Sequence, residues 1–257
     1  LDLADHIWIL FGLKKNFYGT FDGNDYVIQD YRFDIAKCEG SSRWHYVGLF
    51  GVIYNAIIQD VKTELSETID LSTTYDNAAL YVGAIVAAVN GNNNDSAIKS
   101  TIKNCHSKVN LSVNSDYASI YFGGILGSAY SHYCDIINCS TTQLESDSKL
   151  LIKYSGNKNS NGIMAAGICG NGTRVSFQNC IADIDIEVHD ENTSANSRNY
   201  IGGIVAYSLG QIQHCTYMGE IEGISEQNSI YAGGIAGWYR GIESSGPSAL
   251  SLCYTNS

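Results

Sequence analysis

Charge is scarce in this chain. Asp, Glu, Lys and Arg make up 16% of its 257 residues, and proline occurs once. The charge present is mostly acidic, giving a net −11. Phosphate backbones and anionic membrane surfaces both require clustered Lys and Arg, so neither nucleic acid nor a lipid surface fits as a partner. No apolar run reaches the roughly 18 residues that span a bilayer, and no membrane insertion is expected. The opening segment "LDLADHIWIL" has neither a basic n-region nor a small-residue cleavage site, so it does not read as a signal peptide. Eight cysteines are too few for a disulfide-dense mini-scaffold, and no C-x-x-C or Cys/His spacing suggests zinc. H-E-x-x-H and G-x-S-x-G are missing, and "GNGTR" (170–174) lacks the Lys-Ser/Thr of a P-loop. Helical periodicity is nowhere sustained.

Glycine and tyrosine are abundant instead, at 26 and 18 residues. With many Ile, Val and Thr, they point to an all-β protein. "YFGGILG" (121–127) puts glycines where strand formers belong, and it has near-copies: "YVGLFG" (46–51), "YVGAIVA" (81–87), "MAAGICG" (164–170), "YIGGIVA" (200–206) and "YAGGIAG" (231–237). Aligned on the bulky residue after the glycines (Phe50, Ile85, Ile125, Ile168, Ile204, Ile235), the copies step by 35, 40, 43, 36 and 31 residues. Tyr46, Tyr81, Tyr121, Met164, Tyr200 and Tyr231 form another column.

A second signal follows each copy: "IQDV" (58–61), "IKNC" (102–105), "IINC" (136–139), "FQNC" (177–180), "IQHC" (212–215) and "LSLC" (250–253). A third segment tends to come next, as in "VNLSV" (109–113), "IDIEV" (184–188) and "GEIEG" (219–223). Three short strands per repeat, joined by polar segments of free length such as "NGNNNDSAIKS", "SGNKNSNG" and "HDENTSANSRN", are what a stacked coil permits. The expected fold is an all-β, right-handed parallel β-helix, a β-solenoid of about seven coils spaced about 4.8 Å apart and roughly 34 Å long. The glycine column permits close backbone approach or marks a bulge, and both readings stand at this point.

In each second signal the Ile and the Cys three places later both look interior, yet they have opposite parity. A residue between them must break the alternation. Asn104, Asn138 and Asn179 are suited to the left-handed region, and stacked Asn side chains can hydrogen-bond along the rod. The column Cys105, Cys139, Cys180, Cys215, Cys253 then reads as an inward ladder of thiols. Parallel stacked side chains point the same way, so no disulfides are expected despite the short spacing.

"FYGTFDGNDYVIQDYRFDI" (17–35), "YVGLFGVIYNAIIQDV" (46–61) and the repeated "GGI…NC" units resemble bacterial GLUG-motif proteins. "LDLADHIWILFG" (1–12) is similar to the segment upstream of that family's F-x-G-T-F-D-G-N motif. The resemblance spans nearly the whole chain. Departures fall at Ala84 and Ala166, where glycine is usual, and at Val61, His214 and Leu252. The resemblance implies a β-helical module of large secreted or surface proteins, such as flank immunoglobulin A1 metalloproteases or occur in adhesin-like proteins, with no catalytic residue to carry over.

The candidates for chemistry each have a plainer reading. The histidines (His6, His45, His106, His132, His189, His214) form no ligand spacing, and no metal or cofactor is expected. Asp22 and Asp25 in "FDGND" are half a calcium loop, which a turn explains equally. Asp183, Asp185 and Glu187 alternate along one strand, with Glu220 and Glu222 one coil later. Paired carboxylates serve glycosidases, but the polar outer face of a half-buried strand accounts for these, and Lys and Arg look sparse beside them. The tyrosine column suggests a platform for sugars or proteins. Tyr121, Gly123 and Ile125 share a parity, however, so an unbroken strand turns Tyr inward, and packing at a coil corner is the favoured reading.

The sequence therefore leads us to expect one solenoid domain over 1–257, with an N-terminal coil at 1–45 and six repeats over 46–257, cut from a longer rod with uncapped ends. The expected function is a non-catalytic structural or adhesive module at a bacterial cell surface or outside the cell. Its partners would be adjacent domains and a glycan or protein of a host or cell surface. The alternatives are a polysaccharide lyase or hydrolase, or a ligand-binding module whose specificity lies in its loops.

Overall fold

A computed structural model describes residues 2–8, 10–33, 39–41, 43–73, 75–91, 96–130, 132–156, 162–193, 197–240 and 250–255. Every regular element among them is a strand. The strands sort into sheets of 7, 12 and 11 members. One pass of the chain runs through Ser119–Gly123, Leu126–Ser128, Cys134–Ile137, Ser140–Gln143 and Lys149–Tyr154. Each of these pairs in parallel with its counterparts in the passes before and after, so Tyr121 lies opposite both Tyr81 and Met164. The architecture is all-β, parallel and solenoid-like. One described strand breaks the rule: Glu39–Ser41 runs antiparallel to Trp44–Val47.

The first strand of each repeat is divided, which corrects the three-strand reading. The chain bends at Gly124–Ile125 between Gly123 and Leu126, and the outer two strands enter different sheets. The paired glycines make this bend possible. A Cβ on Gly123 would lie 2.2 Å from the Leu126 carbonyl oxygen. One on Gly124 would lie 2.3 Å from the Gly167 carbonyl oxygen and 2.4 Å from the Thr141 side chain. Gly203, in the same column as Gly124, meets the Gly234 carbonyl at 2.0 Å and the Tyr217 ring at 2.2 Å. Close backbone approach at a bend, rather than a bulge in a continuous strand, therefore answers the question of the glycines. The register also places Phe50 opposite Val86, not Ile85. The first copy is one residue shorter at its bend, and Leu49 fills the interior instead.

The second signal behaves as the parity argument requires. Ile102 and Cys105 are both fully buried, and Asn104 between them has φ 53°. The whole column is left-handed: Asp60 (55°), Asn138 (53°), Asn179 (54°), His214 (53°) and Leu252 (54°). Its amides form a ladder. Asn104 Nδ2 donates to Asp60 Oδ1 at 2.9 Å, Asn138 to Asn104 Oδ1 at 3.2 Å, and Asn179 to Asn138 Oδ1 at 2.9 Å.

The cysteines that follow are free thiols. Each reaches back to the carbonyl two residues earlier, as Cys105 does to Lys103 at 3.2 Å. Cys139 and Cys180 also reach Ile102 and Ile136 of the preceding pass, at 3.6 and 3.5 Å. Burial pushes the Cys139 thiol well above its ordinary pKa, so it stays protonated and able to donate. Cys38 lies outside the described residues.

The interior is otherwise columns of Ile, Val, Leu and Phe. At one end it is closed by aromatic rings. Phe17 and Phe21 of the F-x-G-T-F-D-G-N segment each sit 5.2 Å from Phe50, and Trp8 donates its indole N–H to the Leu49 carbonyl at 2.9 Å.

The Asn ladder makes a graded prediction. Asn138→Ala puts a Cβ residue without a side-chain partner at positive φ and deletes two ladder bonds, costing about 2–3 kcal/mol. Asn138→Gly keeps the backbone comfortable and loses only the bonds, costing about 1 kcal/mol. Denaturant unfolding of both variants checks the order, and equal costs would mean that the left-handed turn contributes nothing.

Candidate functional site

The break at Gly124–Ile125 also decides which way the tyrosines face. Ile120 and Phe122 point into the core, while Tyr121 between them is half-buried on the outer surface. Tyr121 and Ile125 are therefore on opposite sides of the wall, because parity does not carry across the bend. Tyr46, Tyr81 and Tyr121 stack with ring centroids 5.0 Å apart, inclined by 17° and 21°. Tyr200 and Tyr231 continue the column at 5.4 Å, beyond Met164. Burial, then the neighbouring Tyr121 and Tyr46, pushes the Tyr81 phenol upward, so the hydroxyl stays protonated at neutral pH.

Facing this ladder across the bend is a second outer column: Val52, Ala88, Ser128, Asn171, Tyr207 and Trp238, each opposite the next. Its members are small in the first passes and large in the last. At one end Tyr207 and Trp238 stack at 4.3 Å and 5°, and Tyr207 meets Tyr200 edge-on at 5.5 Å, which fills the angle between the sheets. At the other end Val52, Ala88 and Ser128 are too small to fill it. A cleft of about 500 Å³ opens there, walled by Tyr46 and Tyr81 and rimmed by Trp44, Asn90, Tyr130 and His132. That size lies within the range of about 300–1,000 Å³ usual for ligand sites. No described lining residue carries a formal charge at neutral pH. Burial, and then Arg174, lowers the His132 pKa, which keeps that ring neutral as well.

The residues singled out by sequence do not gather at this cleft, apart from the tyrosines and His132. Asp22 accepts the Asn24 backbone N–H at 2.8 Å and the Gln59 amide at 2.7 Å, while Asp25 pairs with Lys62 at 2.9 Å. Both serve a turn in which Asn24 and Asp25 have positive φ. His45 bonds Tyr117 Oη at 2.6 Å, His106 bonds Ser140 Oγ at 2.8 Å, and His214 belongs to the left-handed column. The His6 side chain lies outside what the structure describes. Among the described residues no three His, Cys, Asp or Glu side chains form a group suited to a metal ion.

Asp183, Asp185 and Glu187 share an outer face, but two strands carry them, Ile181–Asp183 and Asp185–Asp190. Glu187 lies opposite Glu222, and Asp185 Oδ1 accepts the Glu220 N–H at 2.8 Å. The expectation that cations are sparse here is corrected: Lys149 pairs directly with Glu187, and His189 Nε2 lies 2.6 Å from its other oxygen. The hydrogen bond from Lys149 is the main reason that the Glu187 carboxyl titrates below its ordinary range. The pair belongs to a set of contacts between successive passes that includes Lys108–Glu64 at 3.0 Å and Asn114–Asp70 at 2.6 Å.

Sequence reasoning missed a buried polar hub. Asp190 is 3% exposed. It accepts bonds from Asn199 Nδ2 (2.6 Å), Asn228 Nδ2 (3.0 Å) and the Asn192 N–H (2.9 Å). Asn199 in turn accepts the Ile163 N–H at 3.0 Å. The only signal was the polar segment "HDENTSANSRN", which the repeat pattern had classed as outward loop. Residues 194–196 of it lie outside the described residues.

Comparison of the chain with protein-family models, with curated proteins and with solved structures finds no match.

The Glu187 contacts predict a pH dependence. Its folded pKa is depressed, so the pairing stabilises the fold above the unfolded carboxylate pKa and is lost as pH falls from about 4.5 through the folded value. Lys149 is 41% exposed, so the whole effect is about 0.5 kcal/mol or less. Glu187→Gln should flatten the acid limb of the melting temperature by that small amount and leave neutral stability slightly reduced. A loss of several kcal/mol would contradict the surface-ladder reading.

Proposed function

We propose that this chain is a non-catalytic structural or adhesive module, a single right-handed parallel β-helix of about seven coils, within a large extracellular or surface protein of the bacterial GLUG-motif kind. The right hand follows the general rule for parallel crossovers. The observation that carries the non-catalytic reading is how the acidic residues are used. Glycoside hydrolysis needs two carboxyl groups flanking one bond. The cleft has no Asp or Glu among its described lining residues, and Glu64, Asp185 and Glu187 of the outer face are taken up in contacts between neighbouring passes of the chain.

The test is prolonged incubation with neutral and acidic polysaccharides, measuring new reducing ends and unsaturated products. The expected result is no turnover above a heat-denatured blank. Turnover that is lost in Glu187→Gln would overturn this reading in favour of a carbohydrate-active enzyme.

A further inference from the structure

We infer that the cleft beside the tyrosine ladder is a binding site for a neutral oligosaccharide, with Trp44 and Tyr130 offering ring faces and Ser128 and His132 offering hydrogen bonds. This inference rests on the non-catalytic reading above and gives that module its ligand class.

Four observations lead to it. The first is the opening itself. The angle between the two outer columns is filled wherever the second column carries Tyr207 or Trp238, and it stands open where that column carries Val52, Ala88 and Ser128. Side-chain size at one register position thus decides where the site lies.

The second is an unmet polar demand. Ser128 is 2% exposed, lines the cleft, and its Oγ has no hydrogen-bond partner among the described residues. The same holds for His132 Nδ1. A buried polar atom without a partner costs free energy, and a ligand hydroxyl would remove that cost.

The third is the character of the lining. In an acidic chain the cleft walls carry no formal charge among the described residues, only aromatic rings, aliphatic groups, amides, a hydroxyl and an imidazole. A ligand with apolar C–H faces and many hydroxyls matches such a surface. Trp44 and Tyr130 are 50% and 62% exposed, so their ring faces are free, whereas the ladder rings cover one another.

The fourth observation selects against a peptide that docks as an added strand. Such a peptide pairs its main chain with a free sheet edge. Here both walls are outer faces of sheets whose strands are paired with neighbours on either side, so the cleft offers side chains and no free main-chain row.

The test uses isothermal titration calorimetry and tryptophan fluorescence on the whole chain. The probes are cellohexaose, mannohexaose, maltohexaose, xylohexaose and chitohexaose, with polygalacturonate and a tyrosine- and proline-rich peptide pool as rivals. Two variants address the site. Tyr130→Ala removes an exposed ring. Ser128→Tyr places in the open column the residue already present there at Tyr207, closing the cleft without foreign packing. Tyr26→Ala, an exposed tyrosine of the turn that follows Gly23 and not a lining residue of the cleft, is the control.

The expected result is that at least one neutral oligosaccharide binds. Tyr130→Ala should weaken it about tenfold, Ser128→Tyr should abolish it, and Tyr26→Ala should have no effect. The inference is overturned if no neutral probe binds, if only polygalacturonate or peptide binds, or if binding survives in both site variants. Such a failure leaves the non-catalytic reading intact. That reading falls only if the bound sugar is cleaved.

Discussion

Parallel strands stacked in register put each side chain directly over its equivalent in the next pass, about 4.8 Å away. At that spacing the main chain leaves little freedom, and the tightest place is the bend between the first two strands of the repeat. There the backbone of one pass meets carbonyls of the strand beyond the bend and of the following pass. The added Cβ distances of 2.0–2.4 Å at Gly123, Gly124 and Gly203 leave no room for a side chain. The entropic cost of those glycines is offset by what the bend allows: two sheets that turn away from each other, a filled core on one side and a reentrant angle on the other. Ala84 and Ala166 show that a methyl is admitted at individual positions of these columns.

Each column then acts almost as a property of the rod rather than of a residue, as expected where every repeat contacts only its neighbours. The column of Ile125, Ile168 and Ile204 fills the interior. The left-handed column turns the chain and joins its amides end to end, and the thiols behind it reach back to carbonyls. The outer columns are free to vary. One of them changes from Val, Ala and Ser to Tyr and Trp along the molecule, and that single gradient creates a cleft at one end and an aromatic stack at the other.

Repetition made the fold legible, because the same signals at variable spacing fit stacked passes and little else. The left-handed column was also readable, since a parity conflict between Ile102 and Cys105 has few local solutions and Asn104 suits one of them. The direction of Tyr121 was not. The parity argument assumed a continuous strand, and the glycines that raised the question are the ones that break it. The cleft was hidden for a related reason: Ala88 and Ser128 are unremarkable alone and matter only through their register with Tyr207 and Trp238. The pairing of Lys149 with Glu187 spans 38 residues, and the hub at Asp190 gathers Asn199 and Asn228 from 9 and 38 residues away. No local pattern marks such contacts.

In-register parallel stacking is the claim on which all of this depends, and nuclear Overhauser contacts between the Asn side-chain amides test it most directly. The account predicts contacts from Asn138 to Asn104 and to Asn179, 34 and 41 residues away, together with Tyr81 ring contacts to both Tyr46 and Tyr121. Contacts that instead join neighbouring strands in antiparallel register, or an Asn138 amide with no partner in either adjoining pass, would contradict it.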